Sequence, residues 1–177
     1  PVGVVTLAER FPEPRGGDAA ERAAWYAGMK VHAAGQLKSP RGARRLWPRC
    51  EAGRAHMIGT SGTVTSVAGV HLDLPRYDRN RVDGLRMTHE EARAACDRLS
   101  GQDFAGRAAE PCIGQDRADL VLAGCAILEA VMDAWPTPSL RVGDRGLREG
   151  MLLNLMRRKR RRGARRSGGG QSSGDGS

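Results

Sequence analysis

The stretch "HMIGTSGTVTSVAGVHL", residues 56–72, concentrates the residue types from which an anion site can be built. Gly59, Thr60, Ser61, Gly62 and Thr63 stand between a short apolar run and an apolar pattern that resumes at helical spacing. Glycines let the main chain turn tightly and approach a ligand closely. The first N–H groups of a helix beginning near Val64 point outward, with the positive end of the helix dipole behind them. That arrangement favours phosphate above other anions, and the hydroxyls of Thr60, Ser61 and Thr63 add donors. No lysine follows as in a Walker loop, and the spacing is not GxGxxG. An ordinary strand-to-helix turn is the competing reading.

A second cluster, Gly146-Leu147-Arg148-Glu149-Gly150, also follows a strand-like segment and opens a helix, with Asp144 and Arg145 just before it. Two such junctions in one α/β chain can face the same crevice at the strand ends, where ligands bind in open sheets. Gly146, Arg148, Glu149 and Gly150 are therefore candidates for lining a cleft. The alternative is a pair of plain loops, with Arg148 and Glu149 as a surface ion pair of little worth. No catalytic constellation is visible. His32, His56, His71 and His89 lack metal-ligand spacing and have no nucleophile beside them. His56 reads as a core or lining residue of a strand, and Glu110, Asp116 and Asp119 as capping and first-turn charges around a long helix.

The elements that must position these residues alternate. Val2–Leu7 is β-branched and apolar and reads as a strand. Asp18 caps a helix over 18–37, with Ala23, Ala24, Ala27, Val31 and Ala34 at helical spacing. Residues 54–58 read as a strand, Val64–Leu72 as a helix and "RVDGLRM" as a short strand. Thr88 followed by Glu91 is a capping box, opening a helix that runs to Ser100 and ends at Gly101. Asp116–Trp135 reads as the longest helix, apolar on nearly every side and so buried in a multilayer protein or an interface. "SLRVGD" and "GLREGMLLNLM" follow as a last strand and a last helix. This alternation argues an α/β fold.

The 177 residues suit one ordinary domain, and 40% of them are hydrophobic but only 4% aromatic, so the core must be aliphatic and alanine-rich. The formal charge of +9 is unevenly spread. From residue 157 onward eight cations face one acid, a net of +7, which leaves +2 for the first 156 residues. A Lys/Arg-rich, Gly/Ser-rich tail over 157–177 cannot bury enough apolar area to order itself and is expected to be disordered. Cys50, Cys96, Cys112 and Cys125 lack a CxxC pair and read as reduced, partly buried thiols of a cytoplasmic protein. The longest apolar run, Leu120–Leu128, is far short of the roughly 20 residues of a membrane span. The chain opens on Pro1 in an apolar run without a polar lead-in, as expected of a chain cut inside a fold.

Four segments in order, "GTSGTVTSVAGV", "YDRNRVDGL", "PCIGQDRADLVLAGCAILEAV" and "RVGDRGLREGML", resemble the exopolyphosphatase/guanosine pentaphosphate phosphohydrolase (Ppx/GppA) family. The resemblance runs from Val2 to Met156, and the arginine-rich composition agrees with a bacterial source. It implies an actin-like, ribonuclease-H-like fold of two lobes with the active site in the cleft between them. Residues 1–156 would be the C-terminal lobe, incomplete at its N-terminal strands. Gly59–Thr63 would face phosphate across the cleft, Gly146–Gly150 would be the closing glycine-arginine-glutamate turn, and Gly124 would be the small residue that lets its helix pack closely. The family's first phosphate loop, its catalytic glutamate and its aspartate-triple-glycine loop have no counterpart here. The resemblance therefore puts the catalytic base upstream of Pro1, together with the ligands of an implied Mg2+.

On this reading the lobe hydrolyses the terminal phosphate of polyphosphate or guanosine pentaphosphate once joined to its N-terminal lobe, and is inactive alone. The further partner considered is a second copy of the chain, as a homodimer. The rival is a non-catalytic module binding polyphosphate or nucleic acid through the basic tail, since eight cations within ten residues would hold any polyanion in a salt-dependent way.

Overall fold

The first residues form a helix rather than the expected strand. In the computed structural model, which describes residues 2–14, 16–37, 45–135, 137–146 and 149–157, Val4–Arg10 is α-helical (α1). Thr6 Oγ1 accepts from the Gly3 N–H at 3.1 Å and donates to the Gly3 carbonyl at 3.0 Å, closing the first turn. Leu7 is buried, with Val4, Ala8 and Phe11 packed beside it, while Val5 is exposed. Positions 4, 7, 8 and 11 are spaced as one helical stripe. The β-branched pair pointed to a strand, but the 3.6-residue period decided the outcome.

The body, Pro1–Asp144, is one of two compact units, the other being Arg145–Ser177. Its core is a helical layer. Helix α2 (Ala19–Gln36) begins where Asp18 accepts from the Glu21 N–H at 2.8 Å. Helix α6 (His89–Ser100) begins at the expected Thr88–Glu91 capping box and ends at Gly101. Both pack on α8 (Val121–Ala134), whose burial on nearly every side matches its sequence. At 14 residues α8 is shorter than α2, at 18. The expected continuous helix from Asp116 is broken: residues Gln115–Arg117 form one 3-10 turn after Gly114, which sits at φ +72°. As a result Asp116 and Asp119 do not cap α8, which starts without a side-chain cap. Glu110 instead accepts two bonds from Arg98 and one from Gln102.

One polar cluster lies within this layer. Glu129 of α8, 2% exposed, accepts from the Tyr26 hydroxyl at 2.6 Å and pairs with Lys30 at 3.3 Å. Burial, and after it the neighbouring thiols and Glu129, raise the pKa of Tyr26 and keep its hydroxyl a donor. The four cysteines are free and more fully buried than expected.

The sheet has three short strands in the order β1-β3-β2: β1 (Met57–Gly59), β2 (Arg86–Met87) and β3 (Leu140–Val142). β1 runs parallel to β3, with Gly59 opposite Val142, and β2 is antiparallel to β3. His56 precedes β1 and is exposed, so it is not a core residue. The described residues of the body also include the helix α4 (Gly62–His71) and the shorter helices α3 (Trp47–Glu51), α5 (Arg79–Val82) and α7 (Phe104–Ala109). In the second unit residues 149–157 are helical and expose Met151, Leu152, Leu153, Leu155 and Met156. The basic tail beyond Arg157, expected to be disordered, lies outside the described residues.

Candidate phosphate site at the β1–α4 junction

Helix α4 (Gly62–His71) starts directly beyond β1. Ser61 is its N-cap, and its Oγ accepts from the Val64 N–H at 3.3 Å. The Thr65 N–H donates to the Ser61 carbonyl at 3.2 Å. The N–H groups of Gly62 and Thr63 remain, and helix geometry offers them no partner. Ser61 and Gly62 are exposed. The Ser61 hydroxyl, used as an acceptor, keeps its own proton for donation.

Two glycines set the shape of this junction. A Cβ on Gly59 would lie 2.7 and 2.9 Å from the two Val64 methyls, so β1 can meet α4 this closely only without a side chain. A Cβ on Gly124 would lie 2.2 Å from Thr63 Oγ1, so α8 seats the first turn of α4 against its own backbone, as the resemblance implies for that glycine. Of the loop hydroxyls, Thr63 thus lies against α8, while the Thr60 methyl lies against Gly143. Gly62 is different, since a Cβ there would meet only the Arg117 guanidinium, at 3.7 Å.

Arg117 is the residue that sequence reasoning overlooked. A cavity of about 290 Å³ is lined by Val4, Ser61, Gly62, Thr63, Ser66 and Arg117, together with Leu120 and Val121. Arg117 is exposed on the 3-10 turn and touches the buried Ser66 Oγ at 3.4 Å. One helix N-terminus, one free hydroxyl proton and one cation thus converge on a single cavity, the requirements of an anion pocket. The signal available in sequence was the glycine in "IGQDRAD", which breaks the helix and turns Arg117 toward α4.

The second cluster is only partly described. Strands β1 and β3 end side by side, where the Gly143 N–H donates to the Gly59 carbonyl at 2.8 Å, and Asp144 pairs with Arg79 of α5. In the second unit Glu149 accepts from the Gly146 N–H at 2.9 Å and Gly150 N–H bonds the Gly146 carbonyl. Arg148 lies outside the described residues.

The Ppx/GppA phosphatase family model matches residues 1–159, and the chain belongs to that family. The structure superposes on the Aquifex aeolicus Ppx/GppA family member with a TM-score of 0.68 and 22% identity, over 90% of this chain and 48% of that one. An exopolyphosphatase-like protein gives a TM-score of 0.68 and 24% identity over 89% and 49%. An exopolyphosphatase from Cytophaga hutchinsonii gives 0.64 and 19% over 87% and 47%. No curated protein sequence matches. The fold is thus the mixed, helix-rich α/β arrangement of Ppx/GppA structures, and the chain spans about half the length of the solved proteins it resembles.

Proposed function

We propose that residues 1–156 are the C-terminal, actin-like lobe of a cytoplasmic phosphohydrolase that removes the terminal phosphate of polyphosphate or guanosine pentaphosphate. The observation that carries this reading is the cavity at the β1–α4 junction, where the N–H groups of Gly62 and Thr63, the Ser61 hydroxyl and Arg117 surround one space. Such donors stabilise the charge that builds on a phosphoryl group as it transfers, and do so without reorganising. Attack by water also needs a positioned base, which the family resemblance assigns to the N-terminal lobe. The same holds for the implied Mg2+. Among the described residues no three His, Cys, Asp or Glu side chains converge.

Hydrolysis is tested by phosphate release from long-chain polyphosphate and from guanosine pentaphosphate. The chain alone should release none, and the chain joined to the N-terminal half of a family member should turn over. Gly62→Val in the joined protein should raise KM, because its side chain enters the space between the helix N–H groups and Arg117. Turnover by the chain alone, or an unchanged KM in a folded Gly62→Val protein, would overturn the proposal.

A further inference from the structure

The turn that carries Arg117 is itself held by a second arginine. Arg107 of α7 is 0% exposed. Its Nε donates to the Ala118 carbonyl at 2.9 Å, its Nη1 to the Gln102 carbonyl at 2.6 Å, and its Nη2 to the Glu13 carboxylate. Glu13 is partly buried and lies in the linker between α1 and α2, 94 residues away in sequence. Ala118, the residue after Arg117, is itself fully buried. Backbone bonds at the ends of the turn join the Arg117 N–H to the Gly114 carbonyl at 3.3 Å and the Leu120 N–H to the Arg117 carbonyl at 3.1 Å. One 3-10 turn after a left-handed glycine does not fix a long side chain unaided.

We infer that Arg107 and Glu13 are a positioning pair that sets the place of Arg117 beside the α4 N-terminus, so that affinity for a terminal phosphate depends on two residues that do not line the cavity. This rests on reading that cavity as a phosphate site. The chemistry suits arginine alone. A planar guanidinium presents donors in fixed directions to three acceptors from three segments, whereas a lysine ammonium is a point charge on a flexible stem. Glu13 holds the guanidinium in register, as a carboxylate commonly orients the group in front of it.

The test uses the full chain and amide-resolved NMR, so that anion binding by the tail does not enter the reading. Tripolyphosphate is titrated while the Gly62 and Thr63 amides and the Arg117 Nε–H are followed. Arg107→Lys should weaken the affinity read at those amides roughly tenfold and broaden or shift the Arg117 signal. Glu13→Gln, which keeps an acceptor but no charge, should weaken it roughly threefold. Met87→Ala, buried in β2 and outside the segments that Arg107 joins, should lower Tm and leave the affinity unchanged. Wild-type affinity in both Arg107→Lys and Glu13→Gln, alongside weakening in Arg117→Ala, would overturn the positioning role and leave the site intact. An equal loss in Met87→Ala would overturn it as well. No response at Gly62 and Thr63 in the wild-type chain, or none to Arg117→Ala, would sink the phosphate site and this inference with it. Should Arg107→Lys fail to fold, Glu13→Gln decides alone.

Discussion

Arg107 and Arg117 are ten positions apart and do opposite things. Arg107 is sealed in the body with three acceptors on its guanidinium, while Arg117 reaches a cavity with one long contact, to Ser66. A buried charge with a partner on each of its three nitrogens holds segments together, and its loss leaves carbonyls and a carboxylate unpaired. An arginine with most of its donors free contributes little to folding and keeps its interactions for something that arrives. The same contrast separates Glu129, whose Oε2 is engaged by both Tyr26 and Lys30, from the Gly62 and Thr63 N–H groups, which α4 leaves open.

The contrast is broken or sharpened first by removing the two guanidiniums. Arg107→Met should cost roughly 3–5 kcal/mol, the usual loss when one partner of a buried pair is deleted, while Arg117→Met should stay within about 0.5 kcal/mol. Urea denaturation compares them, and equal losses would erase the distinction. Next in size is Gly124→Ala. The new methyl would overlap Thr63 Oγ1 and destabilise the protein by about 1–3 kcal/mol as an overpacked contact does. Ser61→Ala should cost about 1 kcal/mol through the lost cap, and should also weaken tripolyphosphate binding at the Gly62 amide.

The smallest effect concerns His89, half-buried at the start of α6 with its Nε2 3.2 Å from Thr137 Oγ1. Burial, and then Arg93, lower its pKa from 6.5. The folded state therefore disfavours the proton, and this part of the stability is present above about pH 6.5 and lost as the pH falls through the folded pKa. His89→Gln should flatten the difference in Tm between pH 7.5 and 5.5, and an unchanged difference would show that His89 does not contribute to it.

Much of this was legible in the sequence where local chemistry and tertiary packing agree. Thr88 and Glu91 named the start of α6, Asp18 that of α2, and the glycine-hydroxyl run that of α4. The failures have physical causes. Val4 and Val5 suggested extended chain, yet the 4-7-8-11 stripe met the core as a helix. Asp116 and Asp119 looked like the opening of α8, because the apolar run that follows them does not show that the chain after the left-handed Gly114 makes a 3-10 turn before the helix begins at Val121. That misreading also hid Arg117, whose role depends on the turn Gly114 creates. The buried Glu129 was submerged in the apolar run around it, since its partners come from α2, about a hundred residues earlier. Polar groups satisfied over long sequence distances leave no local trace.

The contact between Gly124 and Thr63 has a consequence for how this chain can change over generations. A Cβ at position 124 would meet the Thr63 hydroxyl, methyl and Cβ at 2.2, 2.7 and 3.0 Å. Position 124 can therefore acquire a side chain without strain only after position 63 has lost most of its own. In the reverse order the lineage passes through a strained intermediate in which the first turn of α4 is pushed from its seat. The two sites thus drift with a favoured order of steps, and the geometry of the anion pocket weights which ancestors and descendants of this chain are reachable by unstrained single substitutions.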